Sequence, residues 1–492
     1  MITRIKINGF KSLLNTELYF GPFTCIAGAN AIGKSNFFDA LVFLSHLADN
    51  TILHAAKSIR SENQRHSNIK DLFFRSGDRY FNKMSFEIDM IVPNQAEDDL
   101  GQKAEASITS LRYSLELKMN NDAAGVEPIE IIREELIPVT LSQTRKSIYF
   151  RKSEKWINSV LFGRRAGAPF ISTVNEIIKL HSDSSKEKKR GGRTTEFIAS
   201  KMPRTLLSTV TAESPTAFLA RHEMRNWMML QFEPSALRQP NSIFEVNNAA
   251  ITANGHNLPA SLYRLQNENK DKDVYQELSN RLKELVEDVD EVLVDKDEKR
   301  DLLTLQIRFK DGLVLPAQSL SDGTLRFLGL AALLADNGKN SVICLEEPEN
   351  GISPKKMEEM INLLENMATD TEFEADENNP FRQVVINTHS PLVVRNVSDE
   401  SMYLATDKEA YIEEFGRKVK HTAFSALDKT WKTKYKLAEI TSKGVIIDYL
   451  ERANTDTLGL AGEPEVKYPT YKNNSDRKIT VAENVYQLKL SL

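Results

Sequence analysis

The sequence predicts an α/β fold built on a mixed sheet, on three observations. The chain opens with an apolar run, a glycine-bearing turn and an amphipathic stretch, a strand–loop–helix unit typical of α/β domains. Strand and helix patterns alternate again over 301–395. Between them, roughly 84–300, period-two and helical patterns are mixed. In order, Ile2, Ile5 and Ile7 mark a first strand and 24–27 a second. Phe37, Leu41, Leu44 and Ala48 then recur at spacings of four, three and four, one face of a helix. Residues 84–92 and 111–119 alternate apolar with polar side chains and read as half-buried strands separated by a polar stretch. A helical stripe runs from Val274 through Leu278, Leu282, Leu285 and Val289. Residues 303–309 alternate, Asp311-Gly312 turns the chain, and 313–315 return as the second hairpin strand. A helix is expected over 324–334, a buried strand over 341–345, a helix on Met357, Met360, Leu364 and Met367, and a strand over 383–386. Beyond about 400 no repeat and no low-complexity stretch is visible, and no chemistry is readable.

Composition bounds the functions available. The 492 residues are 41% hydrophobic and 27% charged, with a net charge of −5, an ordinary soluble composition. Length over ~150 suggests roughly three units. Mild acidity excludes a uniformly basic nucleic-acid coat, though not a local basic patch. The longest apolar stretches, such as 327–335, fall short of the ~20 residues of a membrane-spanning helix. The first twenty residues lack the unbroken apolar segment of a secretory signal. Cys25 and Cys344 each sit in an apolar run and read as buried, reduced thiols, so a cytoplasmic location is expected.

Four motifs carry chemistry. Gly28-Ala29-Asn30-Ala31-Ile32-Gly33-Lys34-Ser35, followed by Asn36, fits G-x-x-x-x-G-K-[ST] in full. Its glycines let successive N–H groups face phosphate oxygens, Lys34 would neutralise the β- and γ-phosphates, and the Ser35 hydroxyl would help hold Mg²⁺. A chance glycine-rich turn is the competing reading; the strand before and the helix after argue against it. Next, 341–345 runs apolar into Glu346-Glu347, placing two acids at a strand's C-terminal edge, where one could stand near Mg²⁺ and the next polarise a water. Such a pair on its own serves equally as a solvated strand end. Leu320-Ser321-Asp322-Gly323-Thr324 opens a helix, either as a phosphate-sensing end or simply as an N-cap. Finally, Asn387-Thr388-His389-Ser390 leaves the last apolar strand; a lone histidine is usually a packing or surface residue, but one at this place can reach a γ-phosphate.

Together and in this order these elements resemble the ABC-type ATPase heads of the RecF, SMC and Rad50 group, over about 1–50 and 300–395. The resemblance implies a P-loop NTPase of ABC type that binds ATP and Mg²⁺ and hydrolyses ATP, slowly, between two heads. It implies Ser35 and Glu346 at the metal, Glu347 as catalytic base, His389 as switch histidine, and Ser321 and Gly323 acting in trans on the neighbour's γ-phosphate. Glu346 stands where an Asp is usual, and the Q-loop glutamine is not placed. The strings 346–351 and 387–391, with 232–240 and 254–259, are similar to the branch found in overcoming-lysogenization-defect nucleases and bacterial anti-phage systems. Because 293 residues separate Gly28 from Ser321, an insertion must split the head, and a compact helical arm is expected there. The division expected is 1–143 and 301–400 as the two halves of the head, 144–300 as inserted helical arm with a basic segment, and 401–492 as a region of unknown role.

Charge and motif content suggest partners. Residues 144–193 hold thirteen basic and four acidic residues, a net +9 that leaves −14 for the rest. That polarity suits a nucleic-acid contact or, equally, a solvated loop. No Asp-x-Asp follows His389 and no HNH module is seen, so cleavage is expected to belong to a separate nuclease subunit, of HNH or other type. The profile resembles PtuA-type ATPases of the Septu anti-phage system, with PARIS-type ATPases second. Expected assemblies are a homodimer through the heads or a higher oligomer, with no membrane partner; the alternative is a RecF/SMC-like DNA clamp without a dedicated nuclease.

Overall fold

In a computed structural model the chain is described over residues 1–59, 68–120, 129–165, 167–183, 195–268, 273–336 and 341–456. Two large sheets and one small sheet organise it. The core sheet has seven strands in the order Trp227–Leu230, Val342–Glu346, Gln383–Thr388, Phe23–Ala27, Met402–Ile412, Arg417–Leu427 and Glu439–Thr441. The first five are mutually parallel, while Arg417–Leu427 returns antiparallel. Mixed pairing of this kind is what the sequence led one to expect. Central strands covered on both faces read as mostly apolar runs, and Phe23–Ala27 and Gln383–Thr388 are buried throughout, the polar Gln383, Asn387 and Thr388 of the second lying at its ends.

Alternate residues of these strands feed two different cores. Ile26, Cys344, Val385 and Tyr403 face the helix Lys34–Leu47, whose Phe37, Phe38, Leu41 and Leu44 lie between this sheet and an antiparallel one. Cys25, Ile343, Leu345 and Ile386 face the helices Asp322–Ala335 and Met357–Met367 on the other side. Both cysteines are free and buried, and burial pushes their thiols well up.

The antiparallel sheet has eight strands, with Ile2–Asn8, Thr16–Tyr19, Lys83–Ile91, Ser110–Met119 and Ile129–Pro138 joined by three short strands within 171–198. The third sheet holds the expected hairpin of Leu302–Phe309 and Val314–Pro316, turned at Gly312, beside Val289–Asp297.

Two expectations are corrected. Residues 144–300 do not form a helical arm: their described parts go to all three sheets, and their longest helix, Val274–Leu285, has 12 residues. Periodicity misled at Val289, where the stripe leaves the helix and starts a strand; a β residue spaced four from Leu285 looks helical in sequence. In the described part of the region after 400, strands extend the core sheet beside Phe23–Ala27.

Candidate phosphate-binding site

Parallel strands bring their C-terminal ends to one edge, which is where ligands of such sheets bind. Glu346 pairs in register with Asn387, and Asn387 with Ile26. The segments that follow Ala27, Glu346 and Thr388 therefore emerge side by side, and they are the sequence motifs.

The P-loop turns through positive φ at Ala31 (64°) and Gly33 (93°) into the helix Lys34–Leu47. A Cβ on Gly33 would overlap the hydroxyls of Ser12 and Thr422, so the position requires glycine on both conformational and packing grounds. Gly33 supplies no side-chain cap, and of the first amides Asn36 N already donates to the Gly33 carbonyl at 3.0 Å, so the Lys34 and Ser35 end is where an anion would be met. The loop is braced from outside: Thr422 Oγ1 donates to the Ile32 carbonyl at 2.7 Å, and Gly28 N to Thr388 O at 3.1 Å. Lys34 is buried, and its Nζ donates to the carbonyls of Gly28 (2.6 Å) and Ala29 (2.7 Å). Burial lowers its pKa, while Glu347, Glu349 and Glu346 pull it back up.

The acidic strand end is equally organised. Glu347 adopts φ 47°, held by its N–H to Asn387 O (3.1 Å) and Oδ1 (3.2 Å). His389 Nδ1 lies 2.8 Å from Glu347 Oε1, and Asn350 Nδ2 donates to Oε2 at 3.0 Å. Because an ionised carboxylate only accepts, His389 is the donor when Glu347 is charged. Asn387 Nδ2 donates to Glu346 at 3.3 Å. Glu349 is buried, takes the Thr388 hydroxyl on one oxygen, and has its pKa raised by burial.

A cavity of about 280 Å³ collects Ser35, Glu346, Glu347 and Asn387, with Gln231, Asn350 and Arg326 on its other walls. His389 adjoins these through Glu347, and Lys34 is the residue before Ser35. Ser321 and Gly323 are not among its lining residues. Ser321 is exposed and caps the helix Asp322–Ala335, its Oγ accepting from Thr324 N at 3.2 Å. Gly323 is buried against Gly351 of the same chain.

Four contributors escaped sequence reading. Gln231 follows a four-residue strand whose place beside Val342–Glu346 only pairing reveals. Arg326 and Asn350 belong to quoted neighbourhoods but carried no motif signal of their own, and Thr422 lies 390 residues from the carbonyl it braces. The 232–240 string acquires a use, since Arg238 Nη2 donates to Leu320 O (2.9 Å) and pairs with Asp322 (2.5 Å), tying the cavity's edge to the Ser321 segment.

A hydroxyl at Ser35 and a carboxylate at Glu346 on one cavity fit Mg²⁺, which takes few protein ligands and keeps water and phosphate oxygens. Among the described residues no group of three or more His, Cys, Asp or Glu is arranged to hold a metal by itself. The basic segment is less available than its count implies. Arg145 pairs with Glu154, Arg151 with Glu372, Arg165 with Asp183 and Lys179 with Glu196. Lys186, Lys188, Lys189, Arg190 and Arg193 lie outside the described residues. No described helix is long and apolar enough to cross a membrane.

A parallel core sheet whose edge carries a phosphate-cradling loop, adjacent acids and a histidine is the head of a P-loop ATPase. The chain belongs to the family described as "AAA domain, putative AbiEii toxin, Type IV TA system", which matches residues 23–170 and 242–395. Among curated proteins none matches it. Solved structures similar to it include an SMC head bound to the C-winged helix domain of ScpA, with 13% identity over 87% of this chain and 99% of that one and a TM-score of 0.42. The SMC head domain from Thermotoga maritima has 12% identity over 87% and 99%, with a TM-score of 0.35. An SMC head with an extended coiled coil, bound to the C-terminal domain of ScpA and derived from Pyrococcus furiosus, has 13% identity over 89% and 99%, with a TM-score of 0.41. At such scores the overlap is loose, and nothing about partners follows from it.

Proposed function

We propose that the chain is an ATP-hydrolysing head that pairs with a second copy around two ATP molecules and regulates a partner nuclease in anti-phage defence. One observation carries the proposal: Ser35, Glu346 and Glu347 line a single cavity with His389 on Glu347, while Ser321 of the same chain stays exposed outside it. In this reading the β- and γ-phosphates replace the Gly28 and Ala29 carbonyls as partners of Lys34. Mg²⁺, when bound, is held by Ser35 and Glu346 and draws charge from the phosphate oxygens. Glu347 takes a proton from the attacking water as ADP leaves, its two oxygens already oriented by His389 and Asn350. Ser321 and Gly323 serve the nucleotide of the neighbouring copy. The nuclease and the defence role rest on the similarity of 346–351 and 387–391 to ATPases of such systems.

Glu347→Gln tests the core of this. Loss of a general base lowers turnover by about 10²–10⁴-fold. ATP binding is expected to persist, and with MgATP the variant should elute as a dimer in size exclusion with light scattering. Unchanged turnover removes Glu347 from its role; an ATP-loaded monomer removes the shared site. For the partner, co-purification with the product of the adjacent gene should yield a complex under some nucleotide condition, and its consistent absence counts against regulation of a nuclease. A second reading, a RecF/SMC-like DNA clamp, is favoured by the +9 charge of 144–193. Salt-dependent DNA binding by the isolated chain would support it.

A further inference from the structure

The helix Asp322–Ala335 presents two different ends of its chemistry to two different places. Its tip, Ser321 and Asp322, is exposed. One turn in, Arg326 and Leu330, four residues apart and so on one face, line the cavity that holds Ser35, Glu346 and Glu347 of the same chain. Arg326 Nη1 donates to the carbonyl of Asn350 at 2.8 Å, which fixes the guanidinium against the catalytic turn. Its Nε is buried and has no hydrogen-bond partner. The side chain as a whole nevertheless borders the cavity, so the part of the guanidinium that faces it is placed to meet an incoming anionic oxygen.

We propose that Arg326 binds the terminal phosphate of the nucleotide held by its own chain, so that the helix presenting Ser321 to a neighbour is also the helix that senses whether the third phosphate is present. The inference rests on the ATP-site reading above. It assigns the discrimination between ATP and ADP to a residue that belongs to none of the sequence motifs. Because Arg326 holds Asn350 O and Asn350 holds Glu347, the same side chain also links that phosphate to the orientation of the base.

The test is calorimetric titration of wild type, Arg326→Gln and Arg326→Lys with Mg²⁺ and either a non-hydrolysable ATP analogue or ADP, with thermal unfolding as a check on folding. A charge-assisted hydrogen bond of roughly 1.5–3 kcal/mol corresponds to a fall of about 10- to 100-fold in affinity for the ATP analogue in Arg326→Gln. ADP affinity should stay unchanged. The lysine variant, which keeps the charge and loses the fork, is expected in between. Equal losses for both nucleotides, or an unaltered preference in a folded variant, overturn the assignment while leaving the ATP site intact. A wild type that binds neither nucleotide brings down the ATP-site reading and this inference with it.

Discussion

A buried lysine without a carboxylate partner must find other acceptors, and Lys34 finds two backbone carbonyls of its own loop. Its position is therefore set before any ligand arrives. Lys34→Ala removes the cation opposite the phosphates and should lower ATP affinity about 10- to 100-fold, read by calorimetry. An unaltered affinity would take Lys34 out of the site. Glu347 is the complementary case. Its positive φ is a strained conformation for a non-glycine residue, and three hydrogen-bonding groups from Asn387, His389 and Asn350 hold it there. Strain supported from several sides is the mark of a side chain whose direction matters.

At the scale of elements, the helix Asp322–Ala335 is pressed onto the turn after Glu347. A Cβ added to Gly323 would overlap the carbonyl oxygen of Gly351, a backbone atom with no room to yield. Gly323→Ala should therefore part helix from turn and cost about 1–3 kcal/mol in urea unfolding. Undiminished stability would mean the approach is looser than it looks. A glycine demanded by packing within one chain is a poor probe of contacts between two. Ser321→Ala is cleaner, because Ser321 is exposed and its own task, capping, is worth about 1 kcal/mol.

Across the whole molecule, the antiparallel sheet is locked to the following segment by a carboxylate rather than by apolar packing alone. Glu134, fully buried on Ile129–Pro138, accepts from the amides of Leu206 (2.6 Å) and Leu207 (2.9 Å) and from the Tyr113 hydroxyl (3.2 Å). Burial outweighs those bonds and raises its pKa to about 7 from 4.5. Between these values the folded chain keeps a proton that the unfolded chain releases, so this group makes stability fall as pH rises through that window. Urea midpoints at pH 5 and pH 7 should show the fall in wild type and a smaller one in Glu134→Gln. Equal slopes in the two would show that Glu134 does not titrate there.

The P-loop, the acidic strand end and the strand-end histidine were legible in sequence because each is a short string whose chemistry depends on adjacent residues. The strands carrying them were legible too, because full burial writes an unbroken apolar run and half burial an alternation. The middle of the chain was not. Its strands are four residues or shorter in several places, and a stripe such as Leu282, Leu285 and Val289 fits a helix until pairing decides otherwise. Strand pairing is non-local by nature: parallel pairing set the segment of Gln231 beside that of Glu346 and Met402–Ile412 beside Phe23–Ala27, and the antiparallel return of Arg417–Leu427 brought Thr422 to the P-loop. The amino-acid order alone thus determined the motifs that point to phosphate binding, whereas only the tertiary packing decided which distant side chains, Arg326 foremost, share one cavity with them.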